Sequence, residues 1–224
     1  MTHDSPRVRI VPAMVHGRHL VRVTTQGPPR GWLLGFHGYA HNAEIFLELL
    51  ERIPAAREWL VASIQALHPF YARGDVVVAN WMTRQDRELA ITDNVAYVDA
   101  VVADLEREYG APPALVYAGV SQGVAMAYRA AIVGAHAARA LIVAGGDLPP
   151  ELRSLEGRRW PPVLACTGRG DDFYTPRRLE EEVEFMRSRG ADVRPLVFEG
   201  GHEWSDEVVA AADALLREVA WVSG

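Results

Sequence analysis

Three kinds of side chain in this sequence can together perform nucleophilic catalysis: a serine hydroxyl, an imidazole to take its proton, and a carboxylate to orient the imidazole. The serine is Ser121, set in Gly119-Val120-Ser121-Gln122-Gly123. The preceding run at 114–117 reads as a buried strand and the following run at 124–133 as a helix. Gly-x-Ser-x-Gly between strand and helix is the pattern of a nucleophile elbow, a tight turn that lifts the hydroxyl clear of the backbone. The glycines leave room where strand and helix cross, and the helix start aims free N–H groups at the same spot. Glycine and serine are common residues, so the pentapeptide needs partners before it counts.

Two later stretches offer those partners. One runs from Gly168 to Pro176 and carries Asp171 and Asp172; the other is Glu199-Gly200-Gly201-His202-Glu203-Trp204. Each directly follows an apolar run that reads as a strand. The order serine, aspartate, histidine is that of the α/β-hydrolases and unlike the trypsin or subtilisin orders. Asp147, after Gly145-Gly146, is a weaker rival for the acid. Tetrahedral negative charge also needs two aimed N–H donors. Gln122, next after the serine, supplies one. Tyr39, in the His37-Gly38-Tyr39 loop after an early strand, supplies the other.

The intervening chain must position these groups. Apolar runs at 32–36, 59–64, 114–117, 140–144, 162–167 and 193–198 read as strands. Helices fall at 43–52, 84–109, 124–133, 176–189 and 203–221. In the long helix, Ile91, Val95, Val98, Val102, Leu105 and Tyr109 alternate steps of four and three, which predicts one core stripe, with Thr83 as N-cap. Thr175-Pro176 predicts an N-cap and first-turn proline. Segments 7–15 and 19–25 read as antiparallel strands about a turn at His16-Gly17-Arg18, 66–75 as loop, and 76–79 as a short strand. Strands alternating with helices predict a parallel sheet covered on both faces, with ligands at the carboxyl ends of its strands.

Phe36-His37-Gly38, Gly119-Val120-Ser121-Gln122-Gly123, Asp172-Phe173-Tyr174-Thr175-Pro176 and Gly200-Gly201-His202-Glu203-Trp204 together resemble the small carboxylesterase/phospholipase family of α/β-hydrolases, which includes acyl-protein thioesterases. The resemblance spans Trp32 to the C-terminus. It implies a single α/β-hydrolase domain over 1–224, a mostly parallel central sheet with helices on both faces, and no large cap. The family's Gly-Phe-Ser-Gln-Gly has Val120 in place of Phe, and its His-Gly before the acid loop is Thr167-Gly168 here. Counting four residues back from Pro176 selects Asp172 as the acid, with Asp171 the alternative. The resemblance further implies a serine esterase acting through an acyl-enzyme on small or medium acyl esters or thioesters, with no cofactor. Pocket candidates are His41, Phe70, Tyr71, Trp81, Met82 and Phe173, beside Tyr39. The other readings are a non-catalytic binding module and a dienelactone-hydrolase-like or peptidase-like enzyme on the same fold.

Composition narrows the partners. The chain has 224 residues, 49% of them apolar, and a net charge of −6 without a basic block, so a nucleic-acid partner is not expected. Its single cysteine, Cys166, excludes an internal disulfide and lies inside a strand, where a buried inert thiol is expected. The start lacks the apolar core of a leader, and no 18-residue apolar run exists, so a cytoplasmic protein with no membrane span is expected, as monomer or homodimer. His37 and His41 are four apart, but Gly38 between them argues for a loop and against a helical zinc site.

Overall fold

The apolar runs build the centre of a parallel sheet. In the computed structural model, which describes residues 6–221, β1 (His19–Val23), β2 (Trp32–Phe36), β3 (Leu60–Ile64), β6 (Leu115–Val120), β7 (Ala140–Ala144), β8 (Val163–Gly168) and β9 (Val193–Phe198) form one sheet in the order β1-β3-β2-β6-β7-β8-β9. All its pairs are parallel except β1 with β3. A separate two-stranded antiparallel sheet pairs β4 (His68–Tyr71) with β5 (Val77–Asn80). The helices are α1 (Ala43–Glu51), α2 (Arg87–Tyr109), α3 (Gln122–Val133), the short α4 (Pro150–Arg153), α5 (Pro176–Ser188) and α6 (Asp206–Trp221). His3 and the other residues before Pro6 lie outside the described residues.

Both faces of the sheet are covered, which is why its central strands carry no polar alternation. Trp32, Leu34 and Phe36 face one way, into a core with Val98, Val102 and Leu105 of α2, Val124 and Tyr128 of α3, and Leu179 and Met186 of α5. Leu33 faces the other way, into a second core with Phe46 and Leu50 of α1 and Val208, Ala212 and Leu216 of α6. Each such large apolar side chain contributes roughly 1.5–3 kcal/mol on burial. The edge strand β9 tolerates Pro195, whose missing N–H costs no ladder bond on an outer side.

The sheet order reverses at β2 and β6. From β2 the chain moves to β3 on one side; from β6 it moves outward through β7, β8 and β9 on the other. A crevice must open beyond the carboxyl ends of β2 and β6, because the connections leaving them diverge. His37-Gly38-Tyr39 and Ser121 stand at those two ends.

Helix starts follow local hydrogen bonding. Asn42 accepts from Ile45 N–H at 2.9 Å, Thr175 from Arg178 N–H at 3.4 Å, and Ser205 from Val208 N–H at 3.3 Å. The expected cap at Thr83 does not form. Its hydroxyl instead accepts from Gln85 N–H, and α2 begins three residues past Arg84, after Asp86 with φ 49°. Tyr109, placed on the core stripe by its spacing, is exposed at the C-terminal end of α2, while Asn94 is buried and donates to Trp81 O at 2.8 Å.

The N-terminal segment also departs from expectation. Residues 7–15 form no strand: Val8, Ile10, Val11 and Met14 are exposed, with no neighbouring ladder to pair with. Only 19–23 of the second segment pairs, along β3. The stretch read as loop at 66–75 contains β4, which Pro69 disguises; the proline sits in a two-stranded hairpin outside the main sheet, where few ladder bonds are required.

Candidate active site

Ser121 has φ 53° and ψ −121°, a strained conformation for a residue with a Cβ. The turn is held from both sides. Ser121 N–H donates to Ala144 O of β7 at 2.9 Å, and Val124 N–H donates to Ser121 O at 3.1 Å. The flanking glycines are required by close approach. A Cβ on Gly123 would stand 2.0 Å from Phe36 O, and one on Gly119 would stand 2.5 Å from Gly123 O. β6 can therefore turn into α3 against the end of β2 only with glycine at both places.

His202 Nε2 lies 2.8 Å from Ser121 Oγ, and His202 Nδ1 lies 2.8 Å from Asp171 Oδ2. Ser121 follows β6, Asp171 follows β8 and His202 follows β9, so three strand ends converge on one hydroxyl. Gly145, at the end of β7 with φ 67°, makes space for the ring; a Cβ there would sit 3.0 Å from His202 Cε1. Phe173 flanks the imidazole with its ring centroid 5.2 Å away.

The carboxylate that meets His202 is Asp171, not Asp172 as the count back from Pro176 selects. Asp171 is buried, and its Oδ1 accepts from the N–H groups of Phe173 at 2.8 Å and Tyr174 at 2.9 Å. That Asx-type turn fixes the carboxylate with Oδ2 toward the imidazole. Asp172 is exposed, with no hydrogen-bond or ion-pair partner among the described residues. Asp147 pairs with Arg178 at 2.8 Å and does not meet His202.

The loop after β2 presses on the elbow. A Cβ on Gly38 would stand 3.2 Å from Ser121 Cβ. The N–H groups of Tyr39 and Gln122, the expected oxyanion donors, have no protein acceptor among the described residues. His37 anchors the loop from within. Its ring is fully buried, with Nδ1 2.7 Å from Gly38 O and Nε2 accepting from Ala66 N–H at 3.0 Å. The accepting Nε2 makes Nδ1 the protonated nitrogen, so the ring is neutral. Burial lowers its pKa from 6.5 to about 4.

This neutral imidazole ties stability to pH. The unfolded chain takes up a proton on His37 below 6.5, whereas the folded chain does so only near 4. Its contribution is thus complete above pH 6.5 and is lost as pH falls toward 4, by at most about 3 kcal/mol. Urea unfolding between neutral pH and pH ~4.5 should show wild type losing stability more steeply than His37→Gln over this window. Equal slopes would remove the assignment.

The side chain of Gln122 joins the elbow to the segment after β5. Its Oε1 accepts from Trp81 N–H at 2.9 Å, and its Nε2 donates to Met82 O at 3.0 Å. Trp81 in turn donates from Nε1 to His37 O at 2.9 Å. Beside the elbow opens a cavity of about 980 Å³, lined by Ser121, Gln122, His202, Tyr39, Trp81, Met82 and Phe173 among others. Three expected pocket residues are not in its lining. His41 lies behind the loop, with Nδ1 buried without a hydrogen-bond partner among the described residues and its pKa lowered by burial and then by His202. Phe70 packs on Tyr39 from outside at 5.6 Å between centroids. Tyr71 is exposed. Phe70 and Tyr71 are carried by the β4–β5 hairpin outside the cavity lining, and His41 by the loop before α1.

Sequence reasoning missed the cations of this cavity. Arg84, Arg87, Arg129, Arg153 and Arg178 all line it. They come from the segment before α2 and from α2, α3, α4 and α5, so no spacing in the chain joins them. Cys166 is buried in β8, where burial pushes the thiol pKa up, as its strand position implies. No group of three or more metal-ligating side chains occurs among the described residues, His37 and His41 included. No helix among them is long and apolar enough to cross a membrane.

No protein-family model matches the chain, and no curated protein matches it in sequence. Solved structures match it in shape. Esterase PE8 is similar with a TM-score of 0.75 at 24% identity, over 92% of this chain and 100% of that one. The Bacillus cereus carboxylesterase gives 0.71 at 18% identity, over 91% and 94%. Zea mays acyl-protein thioesterase 2 gives 0.68 at 18% identity, over 92% and 100%. At these identities the likeness speaks for architecture: this chain has the α/β-hydrolase fold, with a mostly parallel seven-stranded sheet between two helical layers.

Proposed function

We propose that the chain is a serine hydrolase of carboxylic esters or thioesters, acting as one catalytic domain through an acyl-enzyme. The observation that carries this reading is the line Ser121 Oγ, His202 Nε2, His202 Nδ1, Asp171 Oδ2, with 2.8 Å at each hydrogen bond. Ser121 Oγ attacks the carbonyl carbon while His202 Nε2 takes the hydroxyl proton. Asp171 holds Nδ1–H and stabilises the imidazolium. The Tyr39 and Gln122 N–H groups take the oxyanion. His202 then protonates the departing alcohol or thiol, leaving an acyl group on Ser121. A water molecule, deprotonated by His202, attacks that acyl group; the acid leaves and the hydroxyl is restored. Each step uses only side chains, backbone donors and water.

The similarity to solved esterases of the same fold supports the reaction class. So do the strained elbow and the unpaired donors facing the turn's neighbourhood. The test is labelling with a fluorophosphonate, followed by peptide mapping, alongside hydrolysis of p-nitrophenyl butyrate. Label on Ser121 with turnover is the expected result. Absence of both, in folded protein, would overturn the reading.

A further inference from the structure

The cavity beside Ser121 carries more positive charge than its own acids compensate. Arg178 is neutralised by Asp147 at 2.8 Å, and Arg153 by Glu182 at 2.9 Å. Arg87 and Arg129 share one carboxylate, Glu151, at 3.2 Å and 2.7 Å. Arg84 has no acidic partner among the described residues. With the Asp171 carboxylate behind His202 counted as well, one cation is left over, in a chain whose net charge is −6. A local excess of the opposite sign to the whole molecule concentrates anions in the cleft.

Arg129 is also incompletely satisfied. Its side chain is 1% exposed, and its Nε and Nη2 both turn to Glu151 Oε1. Its Nη1 faces only thioether sulfurs, Met82 Sδ at 3.9 Å and Met126 Sδ at 4.0 Å. Sulfur is a weak acceptor, so Nη1 of this buried guanidinium, on a residue of the cavity lining, lacks a strong one. Arg129 lies seven residues along α3 from Gln122, roughly 10 Å by helical rise. A group held there is separated from the scissile carbonyl by a short chain.

We propose that the ester accepted by this site carries a carboxylate at its end remote from the scissile bond, held by Arg129 and Arg84. The proposal rests on the serine-hydrolase reading and names its substrate class. The guanidinium fork matches a carboxylate in two parallel hydrogen bonds, which a neutral alkyl chain cannot use. A purely apolar acyl chain would leave the same edge unpaired and displace water from it.

The test compares near-isosteric pairs by pH-stat titration. Monomethyl adipate against methyl hexanoate puts the anion on the acyl side; 6-(hexanoyloxy)hexanoate against hexyl hexanoate puts it on the alcohol side. Monomethyl succinate and suberate bracket the reach. One pair should show kcat/KM higher by about tenfold or more for the anionic ester at low salt. The preference should shrink at about 0.5 M NaCl, where screening is short-ranged. Arg84→Ala should lower that ratio about tenfold and Arg84→Lys less, because lysine keeps charge without the fork. Arg84 is exposed, so neither change disturbs a core. Hydrolysis of the neutral esters with no preference in either pair overturns this proposal and leaves the serine hydrolase standing. No hydrolysis of any ester and no fluorophosphonate label removes both.

Discussion

Ser121→Ala should fold as the wild type does and lose about 10⁶-fold in kcat for ester hydrolysis. The fold is expected to persist because alanine keeps the Cβ that the turn at φ 53° already accommodates, and the removed oxygen bonds only His202 Nε2. The loss is large because hydroxyl, base and orienting acid act as a unit. For the same reason, adding His202→Ala to Ser121→Ala should cost almost nothing further. Steady-state turnover of p-nitrophenyl butyrate, with thermal unfolding as the control, checks both statements. A Ser121→Ala protein that keeps wild-type turnover would remove the acyl-enzyme mechanism.

Asp171→Asn should lower kcat by about 10⁴-fold, while Asp172→Asn leaves it within about a factor of two. The two residues are neighbours with the same side chain, so the comparison isolates position. Asp171 Oδ1 is occupied by two backbone N–H groups, leaving Oδ2 for His202 Nδ1. An amide in that place must either present its NH₂ to Nδ1 or give up the backbone bonds. The first outcome favours the imidazole tautomer with its proton on Nε2, which cannot take the serine proton. Asp172 is exposed, and its charge is screened by solvent. The reverse pattern, with the Asp172 variant inactive and the Asp171 variant unimpaired, would show that the acid loop adopts another arrangement during turnover.

The choice between these two aspartates marks where the sequence stops informing. Ser121 and His202 were legible because glycines flank the one and precede the other at the ends of apolar runs, and sheet topology brings strand ends together. The acid loop gives two carboxylates one residue apart. Only the Asx-type turn, set by which N–H groups reach Oδ1, separates them. The strands β2, β3, β6, β7 and β8 were legible because burial on both faces removes charged residues from their runs. Residues 7–15 alternate in the same manner as a strand, yet a strand exists only where a partner offers hydrogen bonds, and none does there. The arginines at 84, 87, 129, 153 and 178 were invisible for the opposite reason. Each looks like an ordinary charged residue on its own element, and only the folding of five segments around one cavity gives them a common role.

The two hydrogen bonds from the Gln122 side chain to Trp81 and Met82 have a mechanical consequence. The Gln122 backbone N–H beside Ser121 and the cavity wall formed by Trp81 and Met82 belong to the same rigid piece. In the proposed mechanism, that wall cannot retreat to admit a bulkier ester without dragging the donor off its target, so misfit on this side would slow the chemistry. The opposite wall, around Asp147 and α4, is fastened to its surroundings partly by the Arg178–Asp147 and Arg87–Glu151 ion pairs. Adaptation to larger substrates has its cheapest route there, where a change of shape leaves the reacting atoms undisturbed.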